Sequence, residues 1–336
     1  EYSKNNRAEM SKIIEARLEN VRWLKSGKKR PLYIVGGTWR NLAKVHMTRT
    51  DYPLQVLHQY EIASGEMMNF AEKISRMKDA QALKLETSSR NRRGGLPIAA
   101  RVLGHLIAHA KPDNIVVSAN AVREGMLYSI LTPKYRALDP LLLACEEMAA
   151  RLCKSADYGH ELAVWSSKGF KKSNWTLGTK KAFSRLREAG CLISDVAWAS
   201  HPSWRADTVR QVVLTAPFSG IRHEERVFLA HALAYRHEVD GGEIKYGPLD
   251  LCASDRRLAR AMGLSFRLAH SLSASLPGAL PMTRFNAGRS YLTLKIDPSR
   301  SELMGPIIYK RLAAVASELD LKPRLEIKPV KDISVA

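Results

Sequence analysis

The sequence predicts an α/β part, then a mostly α-helical part, and finally a small α+β part. Short apolar runs typical of buried strands occur at 31–35 and 114–118, and each is followed by a turn and a helical stretch. From about Asp139 the apolar residues recur at helical spacing up to residue 237. Beyond residue 250 a helical stretch precedes an alternating strand pattern at 291–296.

Periodicity and breaking residues place the individual elements. In the first part we expect helices at 3–26, 39–47, 52–82, 97–110 and 123–131. In the second part we expect helices at 139–155, 157–168, 179–198, 204–215 and 222–237. The third part should hold a helix at about 301–318 and a strand at about 323–330. A linker at Thr132-Pro133 and a glycine- and charge-rich break at 237–246 then predict three domains, 1–133, 134–245 and 246–336.

The charge of the chain is unevenly distributed. Its 336 residues carry a net charge of +20, divided into +10 for 1–133, +3 for 134–250 and +7 for 251–336. Such a positive field attracts polyanions such as polyphosphate, highly charged nucleotides or nucleic acid. A merely solvated basic surface is the alternative. No apolar run reaches the length of about 18 residues that a membrane helix needs.

The cysteines and the first residues predict a cytoplasmic protein. The four cysteines lack metal-ligand spacing, so we expect reduced thiols. The opening residues, Glu1 to Asn5, lack the pattern of a signal peptide, and the absent initiator Met suggests an excerpt.

The first candidate for chemistry is the turn Gly36-Gly37-Thr38, directly after the predicted strand 31–35. Glycines let backbone N–H groups approach a phosphate, and the N-terminus of the following helix adds partial positive charge. Thr38 could cap that helix and offer a hydroxyl donor. A tight structural turn is the alternative, and no P-loop or dinucleotide fingerprint is present.

The second candidate is the polar loop 87–95, which contains Arg90, Arg92 and Arg93 beside two glycines. Guanidinium groups match phosphate oxygens in a bidentate manner, so Arg92 and Arg93 are candidate phosphate-binding residues. A solvated charged loop is the alternative.

The order of three segments is more specific than either candidate alone. The segments are YIVGGT at 33–38, RRGGLPI at 92–98 and IVVSANAVREGMLY at 115–128. This order resembles the second half of the actin-like (ribonuclease H-like) phosphatase core of the exopolyphosphatase and guanosine pentaphosphate phosphohydrolase family. The resemblance extends over roughly 5–330 and implies an HD-like helical domain after the core.

The HD-like part departs from the family pattern. His160 lies where the first metal-binding histidine would be expected, but Ser194 replaces the histidine before Asp195. A hydroxyl is a poor substitute for an imidazole ligand, so we expect no metal there. His160 and Asp195 are then polar residues of a helical bundle, while His201, His231 and His237 follow along the chain.

The resemblance implies hydrolysis of a terminal phosphoanhydride in inorganic polyphosphate or guanosine pentaphosphate, with Mg²⁺ shielding the phosphate charge. It also implies that the catalytic carboxylate belongs to an N-terminal lobe that this chain lacks, so no catalytic residue is assigned. The expected phosphate-binding residues are Gly36, Gly37, Thr38, Arg92 and Arg93. Glu124 of the REG motif is expected to cap its helix or to pair with Arg123, and the resemblance favours a homodimer.

Two other functions stay open at this stage. One is a non-catalytic module that binds nucleic acid or another polyanion, which accounts for the charge but not for the order of the three segments. Aromatic residues make up only 7% of the chain, and no RNA-stacking motif is present. The other is a metal-dependent HD phosphohydrolase that acts on nucleotides, which Ser194 disfavours.

Overall fold

The computed structural model describes residues 4–77, 95–171, 175–237 and 245–330. The chain divides into two units, Glu1–Ala137 and Leu138–Ala336. The division between them lies close to residue 133, where the sequence predicts the first domain boundary. The helices on either side of residue 245, His223–His237 and Ala253–Ser273, pack against each other. The separation into three domains stays a prediction.

The first unit alternates helices and short strands, as the α/β pattern predicts. Its helices are α1 Lys4–Glu19, α2 Gly37–Arg49, α3 Ser64–Ser75, α4 Leu96–Ala110, α5 Val122–Ile130 and α6 Pro133–Arg136. Its strands are β1 Leu32–Ile34, β2 Tyr60–Ala63 and β3 Asn114–Val117. A 3₁₀ helix at Arg22–Gly27 occupies the end of the long helix expected over 3–26.

The sheet of the first unit is mixed, with β3 in the centre. β1 pairs with β3 in parallel and β2 pairs with β3 antiparallel, in the order β1-β3-β2. The register aligns Ile34, Val117 and Tyr60 in one row, and all three belong to the buried core under α2, α3 and α4. Because β1 and β3 run in the same direction, the turns that follow them lie at the same edge of the sheet.

The prediction of one helix over 52–82 is wrong. Strand β2 occupies 60–63, and the helix begins only at Ser64. Tyr60 and Ile62 are buried while Glu61 and Ala63 are exposed, which is the two-residue period of a strand. Four residues were too few for this pattern to stand out beside the strong helical period that follows.

The second unit is mostly helical and ends in a small sheet. Its helices are α7 Pro140–Leu152, α8 Ala156–Ser167, α9 Lys180–Leu192, α10 Arg205–Thr215, α11 His223–His237, α12 Ala253–Ser273 and α13 Pro306–Glu318. Its strands are β4 Thr283–Ala287, β5 Tyr291–Ile296 and β6 Lys322–Ile327. β5 lies between β4, which is antiparallel to it, and β6, which is parallel to it.

Two buried arginines of this unit bind carbonyls at or near the C-terminal ends of neighbouring helices. Arg226 is fully buried and donates to the carbonyls of Val213, Ala216 and Phe218 at 3.1, 2.8 and 2.9 Å, at and beyond the end of α10. Arg187 of α9 donates to the Ala163 carbonyl of α8 at 2.6 Å. Val213 is one of the last four residues of α10, whose carbonyls have no acceptor role within that helix, so Arg226 satisfies a group that burial would leave unpaired.

Replacing Arg226 tests how much such a contact stabilises the unit. Arg226→Met should lower the free energy of unfolding by at least about 2 kcal/mol, because three buried carbonyls would lose their donor. Urea unfolding followed by circular dichroism measures this. The control is Arg151→Met in α7, whose exposed pair with Glu147 should contribute little. Equal losses in the two variants would contradict the account.

Candidate phosphate-binding turn

The backbone conformation of the turn after β1 requires a glycine. Gly36 is the N-cap of α2 and has φ 105° and ψ 155°, a combination that residues with a Cβ rarely adopt. The first hydrogen bond of α2 runs from the Arg40 N–H to the Gly36 carbonyl at 3.1 Å. The N–H groups of Gly37, Thr38 and Trp39 therefore have no acceptor within the helix, as expected at a helix N-terminus. They are available to an anion.

The prediction that Thr38 caps this helix is wrong. The cap is Gly36, and no side chain caps the helix end. Thr38 is the second residue of α2 and is exposed. Its hydroxyl therefore lies in the first helical turn, where it can still reach an anion at the helix end. The role of Gly36, Gly37 and Thr38 in phosphate binding stays a prediction.

Arg40, which the sequence reasoning missed, links the two turns at this edge of the sheet. Its Nη1 donates to the carbonyl of Ala119, in the turn after β3, at 3.3 Å. Its Nε is buried and has no hydrogen-bond partner in the described part of the chain. The sequence signal that could have identified it is the position of an arginine in the first turn of the helix that follows the glycines.

The turn after β3 is held by one hydrogen bond of its own and by hydrogen bonds to Ile34 and His58. The Ser118 N–H donates to the Ile34 carbonyl at 3.0 Å, which continues the parallel pairing of β1 and β3. The Ser118 hydroxyl donates to the Asn120 carbonyl at 2.9 Å. The Ala119 N–H donates to Nδ1 of His58 at 3.3 Å. These contacts fix the second turn beside the first.

Glu124 caps α5, as expected. Its Oε2 accepts the N–H of Ala121, the N-cap residue, at 2.7 Å. That hydrogen bond lowers the pKa of the carboxyl, and the charges of Arg123 and Arg40 lower it further. A carboxylate with a lowered pKa is a weak base, so Glu124 is poorly suited to activate water. None of the α5 residues is buried.

The predicted arginine loop cannot be placed. Arg92 and Arg93 lie outside the described residues. Their role in phosphate binding stays a prediction.

In the turn after α9, Asp195 is bound by an arginine. Nη2 of Arg236 lies 2.6 Å from Oδ1 of Asp195, and both side chains are buried. Arg236 also donates to the Ser194 carbonyl. The expectation that Asp195 is a satisfied polar residue is only half correct, because its buried Oδ2 has no partner among the described residues. His160, in α8, and His201 are exposed.

The described residues do not fit a metal ion. They contain no group of three or more His, Cys, Asp or Glu side chains that could hold one. We therefore assign no Mg²⁺ ligand to them and derive no step through Mg²⁺.

The fold and the glycine turn define an α/β protein with a candidate phosphate site, and comparison with known families agrees. A model of the Ppx/GppA phosphatase family matches residues 3–134, and a model of the exopolyphosphatase C-terminal region matches 141–322. The chain belongs to the Ppx/GppA phosphatase family. No curated protein matches the chain. Membership supports phosphatase activity on polyphosphate or guanosine polyphosphates in general. In the described part of the chain, no helix has the length and apolarity that crossing a bilayer requires.

The backbone of Gly36 can be tested by adding a methyl group. Gly36→Ala should destabilise the first unit by about 1–3 kcal/mol, because its φ of 105° strains any residue with a Cβ. Thermal unfolding measures the change. Gly65→Ala is the matched control, because a Cβ would meet open space at both positions but Gly65 lies in the first turn of α3 without a positive φ. Equal effects in the two variants would show that the turn does not depend on glycine.

Proposed function

We propose that this chain binds the terminal phosphates of inorganic polyphosphate or guanosine pentaphosphate for phosphoanhydride hydrolysis. The observation that carries the proposal is the edge where the turns after β1 and β3 meet, with a glycine-only backbone at Gly36. Three N–H groups of the α2 N-terminus and the guanidinium of Arg40 converge there. Phosphoryl transfer depends mainly on positioning and on neutralising charge, and this edge offers both.

The chemistry of each residue follows from its place. Gly36 allows a phosphoryl oxygen to approach the backbone closely, and the N–H groups of Gly37 and Thr38 donate to it. The Thr38 hydroxyl adds a donor. Arg40 holds the Ala119 carbonyl and places positive charge beside the site. Arg92 and Arg93 would add bidentate donors to the same phosphates.

The water-activating carboxylate is proposed to come from an N-terminal lobe outside residues 1–336. Two described carboxylates of the first unit have other uses. Glu124 caps α5, and Glu66 lies 3.3 Å from Nε2 of His46. On this proposal the chain alone does not hydrolyse its substrate. The Mg²⁺ expected for the family would also be held there. A homodimer and a cytoplasmic location likewise stay proposals.

A second candidate, polyanion binding without catalysis, is favoured by a groove in the second unit. The groove has a volume of about 770 Å³ and is lined by Lys168, Arg284, Lys295, Arg324 and Lys328 together with Glu161 and Glu326. Its aromatic rings are not open to bases. Trp165 and Phe285 stack on each other and are buried. Single-stranded nucleic acid binding relies on exposed stacking rings, so the groove fits a phosphate chain better.

Phosphate release tests the proposed hydrolase. Polyphosphate and guanosine pentaphosphate are each offered, with Mg²⁺, to the 336-residue chain and to a form that carries the family's N-terminal lobe before Glu1. We expect release only from the extended form. In that form Arg40→Gln should lower kcat/KM at least about tenfold, since a charge beside the transferred phosphoryl group is lost. Arg49→Gln, an exposed charge at the other end of α2, is the control.

Two outcomes would contradict the proposal. Release by the 336-residue chain alone would place the catalytic carboxylate within this chain. No release from either form would favour the non-catalytic polyanion module.

A further inference from the structure

The remaining strand of the first sheet, β2, also reaches the edge that carries the glycine turn. β2 runs antiparallel to β3, and its first residue, Tyr60, pairs with Val117, the last residue of β3. The residues just before β2 therefore lie beside the turn after β3. His58 is one of them, and its Nδ1 accepts the N–H of Ala119 in that turn at 3.3 Å. All three strands thus contribute to one edge.

The chain makes a tight turn to place His58 there. The Tyr60 N–H donates to the Leu57 carbonyl at 3.2 Å, which closes a four-residue turn. Gln59, the third residue of this turn, has φ 65° and lies in the left-handed region. Glycine or asparagine usually occupies such a position, because most other side chains are strained there. Strain of this kind persists only where surrounding contacts fix the backbone, as the bond from the Gln59 N–H to the Val117 carbonyl at 2.9 Å does here.

Ala119 is held from both sides. Its N–H is bound by Nδ1 of His58, and its carbonyl is bound by Nη1 of Arg40 at 3.3 Å. The two side chains come from different elements, the turn before β2 and the first turn of α2. A movement of Ala119 away from His58 would displace the carbonyl that orients Arg40. His58 is therefore coupled to Arg40 through a single residue.

The same hydrogen bond defines where the imidazole of His58 carries its proton. A ring nitrogen accepts an N–H only when it has no proton of its own, so Nδ1 is unprotonated. In the neutral ring the proton then resides on Nε2. A doubly protonated ring would place two donors against each other and lose the contact. The form of His58 that holds Ala119 is thus the neutral imidazole.

We propose that His58 is a positioning residue for the proposed phosphate transfer, because it fixes Ala119 through Nδ1 and thereby fixes the guanidinium of Arg40. The role rests on the proposed function, since it is exerted on Arg40. Stabilisation of a transferred phosphoryl group depends on where the charge is placed, so a displaced guanidinium loses much of its effect. The strained backbone at Gln59 is retained because it presents the acceptor of His58 to the turn after β3.

Two substitutions separate the acceptor of His58 from the rest of its ring. His58→Asn keeps an acceptor close to the position of Nδ1, whereas His58→Leu keeps the bulk and has no acceptor. In the form that carries the N-terminal lobe, His58→Leu should lower kcat/KM for polyphosphate at least about tenfold, and His58→Asn should stay within about threefold of the parent. The control is His109→Leu, a half-buried histidine in the last turn of α4, which leads into the opposite end of β3. It should change kcat/KM less than about twofold.

A double-mutant cycle tests whether His58 acts through Arg40. If it does, His58→Leu should cost less than about twofold once Arg40→Gln is present, because the charge that it positions is already gone. Losses that multiply would overturn the proposal. So would an unchanged kcat/KM in His58→Leu, equal losses in His58→Leu and His58→Asn, or an equal loss in His109→Leu.

Amide exchange tests the geometry without turnover. In the 336-residue chain without substrate, the Ala119 N–H should exchange at least about fivefold faster in His58→Leu than in the parent, and His58→Asn should restore the protection. An unchanged rate in His58→Leu would overturn the proposal even if phosphate is released. Faster exchange without phosphate release from any form would instead contradict the proposed function, while the hold of His58 on Ala119 stands.

Discussion

The second unit depends on buried guanidinium groups at the ends of its helices. Arg226, with no exposed surface, holds three carbonyls at and beyond the end of α10, and Arg187 holds a carbonyl near the end of α8. A helix end inside a bundle has carbonyls that neither water nor the helix satisfies. Arginine reaches them with several donors in one plane, which the shorter polar side chains cannot do. The packing of α10 against α11 therefore includes a charge in the core.

Arg236 extends this principle to the turn after α9, where Ser194 led us to expect no metal. Its guanidinium binds Asp195, the Ser194 carbonyl and the Ser275 hydroxyl, so it ties the turn after α9 to α11 and to the segment after α12. A guanidinium group at Asp195 supplies the positive charge that a cation would otherwise bring.

Parts of the fold could be predicted from the sequence because the local signals were strong. Strands β1 and β3 and the helix after Gly36 follow from apolar runs ended by small residues. Strand β4 was missed because Thr283–Ala287 mixes polar and apolar residues over a short span, and its place is fixed by pairing with β5. The capping role of Glu124 could be predicted because it needs only a carboxylate three residues after the cap.

The candidate sites could be predicted only in part. Gly36 was found because glycine in a turn has a local meaning, while Arg40 was missed because its contact with Ala119 joins residues 79 apart in the chain. His58 was missed for the same reason. Its partner Ala119 lies 61 residues further along the chain, and only the antiparallel pairing of β2 with β3 brings the two together.

The central claim is that the positive charge of this protein serves phosphate chains rather than nucleic acid. The most direct measurement compares the affinity of the chain for inorganic polyphosphate and for single-stranded DNA of equal charge across a series of salt concentrations. The account predicts tighter polyphosphate binding at every salt concentration, because cations line the groove of the second unit while its rings, Trp165 and Phe285, are buried. Equal affinities with parallel salt dependence would contradict it.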